Sequence, residues 1–258
     1  MTPSRRILVA QRPRSAKQMR SGPVAAQIAW FADTDTNQND VPVQDYGTIG
    51  LGDGSDHPPC TAFEGVRRAY QDFIATTGSR PPYDVTVQLN APGRSVPGAV
   101  MDEINWPAGW PSSAEPVEYA FLAATHEFAH TFRDGLDGDE DHRADDAKRF
   151  GYAREHSACD RFNDGFAFQE GWAEFWARQE AAQCGSAPLT DFAYESHVNL
   201  RLASIERWCM SRAEMVDVLR RNPGRIHSLD EFAKAAGCEG TAVSPYEPGA
   251  GEIEAGPS

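Results

Sequence analysis

No stretch of this 258-residue chain approaches the ~18–20 consecutive apolar residues that a membrane-spanning helix needs. Positive charge is scarce: 24 Lys and Arg stand against 38 Asp and Glu, a formal charge of −14. A nucleic-acid binder needs a basic face to neutralise phosphates, so no nucleic-acid partner is expected. None of the five cysteines (Cys60, Cys159, Cys184, Cys209, Cys238) belongs to a C-x-x-C pair, which argues against a zinc knuckle or a thioredoxin-type redox site. No repeat recurs at a solenoid period. Ser4-Arg5-Arg6 resembles a twin-arginine signal, but Ile7-Leu8-Val9-Ala10 is too short for its apolar region and Gln11-Arg12-Pro13-Arg14 ends it. Residues 1–24, which hold six basic and no acidic side chains, are therefore expected to form a flexible basic arm. Without those six charges the rest of the chain stands at −20.

What is present suits a globular protein with a real core: 40% of residues are hydrophobic. Apolar residues recur every three or four positions over Ala62–Thr76, which predicts an amphipathic helix. Tyr83–Asn90 alternates and is β-branched, so it reads as a strand. A short strand is expected within Ala25–Ala32 and another within Val96–Trp106. Ser112-Ser113-Ala114-Glu115 has the form of a capping box opening a helix to about Phe132. Long helices are expected over Phe166–Gln183 and Asp191–Cys209, and short ones after the capping boxes at Ser211 and Ser228. Residues 133–147 read as an acidic loop and 241–258 as a disordered tail. The layout is α+β, with 25–240 as a single domain: a small sheet-containing N-terminal lobe and a helical C-terminal lobe. Four of the cysteines lie at helix ends or in loops, which suits disulfides Cys159–Cys184 and Cys209–Cys238 in a secreted protein. Buried free thiols in a cytosolic one remain the alternative. Compartment and oligomeric state are not legible.

One motif carries chemistry. In His126-Glu127-Phe128-Ala129-His130 the histidines stand four apart, so a helix presents both imidazoles on one face, able to reach one zinc ion at ~2.0–2.1 Å. Glu127 lies beside that metal, where a carboxylate serves as general base toward a water whose pKa zinc lowers to ~7. The surrounding helix is apolar (Tyr119, Phe121, Leu122, Phe128), so two histidines and a glutamate there need partners.

The segment Phe168-Gln169-Glu170-Gly171-Trp172-Ala173-Glu174-Phe175-Trp176 resembles the second motif of the gluzincin metallopeptidases. These pair H-E-x-x-H with a downstream glutamate ligand. The resemblance implies Glu170 as third zinc ligand, Glu174 as the acid that orients a ligating histidine, and Gly171 as room for a close helix crossing. It also implies a zincin-like fold with the metal site between the lobes, and a peptide or protein substrate. It covers about a tenth of the chain and departs from the pattern twice. The 39 residues between His130 and Glu170 are a longer gap than the pattern suggests, and Gln169 stands where asparagine is usual. Asp137, His142, His156 and Glu174 are other candidate third ligands. Arg133 and Leu136 occupy the positions where the metzincin pattern needs glycine and a ligand.

Peptide hydrolysis also needs a donor for the developing oxyanion. Tyr194, His197 and Arg201 share one helical face and are the first candidates; Tyr152, Arg154 and His156 compete. The alternating Asp137, Asp139 and Asp141 invite a calcium site, although His142 and Lys148 break the EF-hand pattern. A strand edge near Tyr83–Asn90 or Gly98–Trp106 would pair with an extended substrate, with Trp106 and Trp110 nearby. The expected activity is zinc-dependent peptide hydrolysis. The alternative is a zinc-binding regulatory or sensor protein with one specific partner or no proteolytic activity.

Overall fold

The computed structural model describes residues 5–9, 29–31, 58–82, 85–89, 96–100, 102–107, 110, 117–136, 142–153, 156–181 and 183–241. Five strands and seven helices follow in order: β1 (Arg5–Val9), β2 (Ala29–Phe31), α1 (Pro58–Thr77), β3 (Val85–Leu89), β4 (Gly98–Val100), β5 (Glu103–Trp106), α2 (Val117–Leu136), α3 (His142–Phe150), α4 (Asp164–Trp176), α5 (Glu195–Trp208), α6 (Arg212–Arg221) and α7 (Leu229–Ala236). The fold is mixed and mostly helical, as the α+β expectation has it.

β3, β5 and β4 form a small sheet, β3 parallel to β5 and β4 antiparallel to it. β1 adds to the free side of β3 and β2 to β1, both antiparallel, so the strand order is β2-β1-β3-β5-β4. The expected flexible arm is thus corrected at Arg5–Val9. Ile7, Leu8 and Val9 are good strand formers, and pairing satisfies the edge of β3. The rest of the arm and the tail beyond residue 241 lie outside the described residues, as does the Ser112 capping box.

α1 begins on Pro58-Pro59, where fixed φ favours a first turn, and buries Ala62, Val66, Ala69, Tyr70 and Phe73. α2 buries Ala120, Ala124, Phe128 and Phe132 against it, a four-residue repeat on one face. The helices meet where side chains are smallest: a Cβ on Gly65 would stand 2.6 Å from the Cβ of Ala124. Phe73 then packs on Phe132 and Trp176, with ring centroids 4.7 and 5.7 Å apart.

One hydrophobic cluster runs through α1, β3, β4, β5, α2, α4, α5, α6 and α7. Two lobes with a site between them were expected; the sheet and the helices instead share a core, because α2 packs on β4 and β5 with one flank and on α4 with another.

Several boundaries differ from the sequence reading: α1 starts four residues earlier than expected, at Pro58, and α5 four later, at Glu195. α2 runs through Arg133 to Leu136, and α3 covers much of the expected acidic loop, its Asp146 buried beside His227 Nδ1 at 2.7 Å. α4 stops at Trp176 rather than near Gln183. Arg178 adopts φ +56°, and the Arg178 and Gln179 N–H groups donate back to Phe175 O and Glu174 O, which closes the helix. The caps fare better. Ser211 and Glu214 form a reciprocal capping box on α6. Ser228 caps α7, while Glu231 reaches past it to accept from the His227 N–H. Both expected disulfides, Cys159–Cys184 and Cys209–Cys238, are formed. They are compatible with an extracellular protein. Among the described residues no helix is long and apolar enough to cross a membrane.

The tightest crossing joins α4 to α5. A Cβ on Gly171 would lie 2.5 Å from Val198 Cβ and 2.7 Å from the Glu195 carbonyl oxygen. Backbone on one side leaves little room to yield, so Gly171→Ala is expected to lower stability by about 1–3 kcal/mol. Equilibrium denaturant unfolding measures this, and an unchanged midpoint would show that the helices are not in contact there.

Candidate metal centre

α2 and α4 are both apolar because both are interior helices, and that makes their few polar side chains conspicuous. α4 is capped by Asn163, whose Oδ1 accepts from the Phe166 N–H at 2.9 Å. Every residue from Gly165 to Trp176 is buried, Gln169, Glu170 and Glu174 included. Glu170 faces α2 at the level of its two histidines. His126 Nε2 and His130 Nε2 lie 3.2 and 3.1 Å from Glu170 Oε2 and 3.1 Å from each other.

This near-equilateral triangle is not a set of three hydrogen bonds, since each imidazole Nε2 carries at most one proton and the oxygen of a carboxylate carries none. It matches one face of a tetrahedron around a metal ion. Ligands about 2.0–2.1 Å from a centre stand about 3.3 Å apart at tetrahedral angles. Among the described residues, His126, His130 and Glu170 are the one group of such side chains whose ligand atoms converge closely enough to hold a metal ion. His126 is the most open of the three, its side chain 16% exposed against 2% and 7% for His130 and Glu170.

The electrostatics agree. Burial disfavours charge on Glu170, yet the His130 charge and hydrogen bonds from His126, His130 and His156 hold its pKa well below the usual carboxylate range. Burial also opposes charge on His126, but the Glu170 hydrogen bond and the charges of Glu127, Glu170 and Glu174 outweigh it, so its pKa is raised. The centre therefore attracts positive charge, and a proton takes the place that a metal ion would compete for.

Glu127 is half-buried next to His126. His156, weighed above only as an alternative, comes to the rim of the centre: its Nε2 is 3.5 Å from Glu170 Oε2 and 3.5 Å from Glu195 Oε1. Edge-on rings of Phe166 and Phe162, with centroids 5.0 and 6.0 Å away, flank it. Glu195 went unnoticed in the sequence. It occupies the first turn of α5, is 2% exposed, and has its pKa raised to about 10 by burial and by Glu170, Glu174 and Asp160. Its proximity to His156 comes from the ladder that ties residues 158–162 to the start of α5: Ser196 N–H to Ala158 O, Phe162 N–H to Ala193 O, and the Arg161–Tyr194 bridge. No periodicity announces such a contact.

Other expected roles are corrected. His197 is fully buried and both ring nitrogens are spent on backbone: Nδ1–H donates to Asp191 O, and Nε2 accepts from the Cys184 N–H. Tyr194 rests its ring on His197, with centroids 5.0 Å apart, and Arg201 donates to Cys238 O and Glu239 O. His197 and Arg201 thus support the disulfide loops instead of an oxyanion.

Glu174 is near enough for its charge to raise the pKa of His126. It does not make the expected hydrogen bond to a ligating histidine: its Oε2 and His126 Nδ1 are both buried with no partner among the described residues. Asn199 hydrogen-bonds its carboxylate, and its pKa is raised to about 7, chiefly by burial. Gly171 does give a close crossing, though with α5 and not with the histidine helix. Trp106 and Trp110 are buried core residues, the Trp106 indole N–H donating to Trp110 O. Tyr152 packs on Phe166. Asp137, Asp139, Asp141, Arg154 and the His142 side chain lie outside the described residues, and the calcium site with them.

No family model, curated protein or solved structure matches this chain. Its site is therefore read from its own residues. A cavity of about 450 Å³ near Arg201, Asp230 and Lys234 contains none of the three candidate ligands and plays no part in that reading.

Two outcomes test this geometry. His197→Gln should weaken the fold by about 1–3 kcal/mol through lost buried hydrogen bonds while metal content stays that of the wild type. Metal loss in that variant would tie His197 to the centre after all. The second outcome concerns pH. Glu174 and Glu195 have raised pKa values, so the metal-free native state keeps protons that the unfolded chain releases above about pH 4.3. Their contribution to stability falls as pH rises through about 7 and on toward about 10. The raised pKa values of His126 and His156 act in the same direction, their stabilisation being lost as pH rises. A bound cation relieves all four, so the melting-temperature gap between metal-loaded and metal-free protein should widen from pH ~5 to pH ~9. A gap independent of pH would mean that these acids are not buried beside the metal.

Proposed function

We propose that this chain is a zinc-dependent hydrolase, a peptidase of zincin-like and gluzincin-like organisation, with His126, His130 and Glu170 as ligands and Glu127 as general base. The observation that carries the reading is the triangle of 3.1, 3.1 and 3.2 Å formed by three ligand atoms from two helices. Two imidazoles and one carboxylate are a zinc-type donor set. Three protein ligands, with His126 the most open of them, suit a centre that keeps a position for substrate. When bound, zinc supplies Lewis acidity, polarising a carbonyl and lowering the pKa of water to about 7.

The chain's own residues do the rest. Glu127 takes the proton from the attacking water and passes it to the leaving amine. His156 directs its Nε2 toward the centre from the rim and donates a hydrogen bond to the oxygen that becomes negative; the edge-on rings of Phe162 and Phe166 hold it there, with Glu195 Oε1 3.5 Å away. β4, at the end of the sheet and packed on α2, offers its edge to an extended substrate backbone. Oxidising conditions suit this arrangement, since Cys159 stands three residues from His156 and ties that segment to Cys184.

The second reading, a zinc-binding sensor or regulatory protein, is favoured by one observation. His156 Nε2 is 3.5 Å from Glu170 Oε2, and a small shift would make it a fourth ligand and close the site. His156→Ala separates the two readings. On the hydrolase reading it keeps one zinc per chain and lowers kcat by about 10²–10³-fold; on the sensor reading it loses zinc. Elemental analysis alongside a casein or mixed-peptide assay reads both. Glu127→Gln should keep the metal and lose about 10²–10⁴-fold in rate, and Glu170→Ala should lose the metal. A wild-type protein that takes up no zinc under replete conditions would end the proposal.

A further inference from the structure

Among the described residues few large apolar side chains remain exposed, and one of them, Trp208, is at the end of α5. They are Val96, Tyr119, Leu122 and Trp208. Two of the four stand on α2, the helix of the histidines, in the half that precedes His126. Tyr119, Leu122 and Ala123 lie seven, four and three residues before His126, which places all of them on its face of the helix. Tyr119 is 48% and Leu122 37% exposed, on a helix that buries Ala120, Ala124, Phe128 and Phe132. Trp110 backs Tyr119, with ring centroids 5.5 Å apart. β4 packs along the same helix as the terminal strand of the sheet, and the exposed Val96 leads into it.

We infer that this stripe is the specificity surface for the substrate, an extended polypeptide with apolar side chains at alternate positions on one side of the cleaved bond. The inference rests on the hydrolase reading for its cleaved bond and on the stripe's continuity with His126 for its occupant. A helix rises about 1.5 Å per residue, so Leu122 is about 6 Å and Tyr119 about 10.5 Å along α2 from His126. An extended chain advances about 3.3 Å per residue and presents every second side chain to the same face. Inclined by about 30° to α2, such a chain places the residues two and four positions from the cleaved bond about 5.7 and about 11.4 Å along the helix, where they meet Leu122 and Tyr119. A sheet edge beside an apolar helix face provides both things an extended segment needs: backbone partners and a place for alternate side chains.

The test uses end-blocked polar decapeptides carrying a Leu-x-Leu pair stepped along the chain, and an all-polar decapeptide as control. Zinc-loaded wild type is assayed for cleavage positions by mass spectrometry. Zinc-loaded Glu127→Gln is titrated with the same peptides by calorimetry. The expected result is cleavage two residues from the nearer leucine, tighter binding of the paired-leucine peptides than of the control, and about ten-fold loss of that preference in Leu122→Asp or Tyr119→Asp. Zinc content should not change in either variant, and Tyr119→Phe, which keeps the ring contact with Trp110, should keep the preference. Equal binding of leucine and control peptides, a preference that survives both substitutions, or no binding at all would overturn the inference. Leucine-dependent binding without any cleavage would leave the stripe standing and remove the hydrolase reading.

Discussion

Glu170 is a carboxylate buried between two apolar helices, and it is stable there only with positive charge beside it. That requirement organises the molecule around it. Two imidazoles supply partners from α2, and the triangle they form with Oε2 suits one cation better than any set of hydrogen bonds. The rings of Phe132, Trp172 and Trp176 are close-packed between the same two helices and fix the spacing of α2 against α4. A displacement of either helix would separate the ligand atoms before it exposed much apolar surface.

The next layer depends on that first one. α5 lies against α4 at Gly171, and this closeness carries Glu195 to the edge of the candidate metal centre. The Cys159–Cys184 disulfide and the ladder between residues 158–162 and 193–196 bring His156 to the same place. Burial first, and then the neighbouring carboxylates, drive Glu174 and Glu195 toward their protonated forms, while the histidines beside Glu170 keep it ionised. Glu170 alone touches two histidines.

Reading the sequence was most successful where the determining interaction is local. The four-residue spacing of His126 and His130, the capping box at Ser211 and the strand at Val85–Leu89 all depend on neighbours a turn or two away. The end of α4 was misplaced because Arg178 takes a left-handed conformation that glycine usually marks. α3 was missed because its residues are charged, and charge resembles a loop until Asp146 is seen buried against His227.

The chain by itself determined the helix that bears both imidazoles, the glutamate of the E-G-W-A-E segment as their most plausible partner by resemblance, and the α+β class. These follow from periodicity and motif, which are properties of contiguous residues. Only the tertiary structure decided that His156 and Glu195 stand at the rim and that His197 does not. His197 and Glu195 are two positions apart on one helix, and nothing in their spacing says which of them faces the His126–His130–Glu170 group. The choice is made by the close α4–α5 crossing at Gly171 and by a disulfide loop closing over the other side of α5. Contacts between segments far apart in the chain set that orientation, and local sequence carries no record of them.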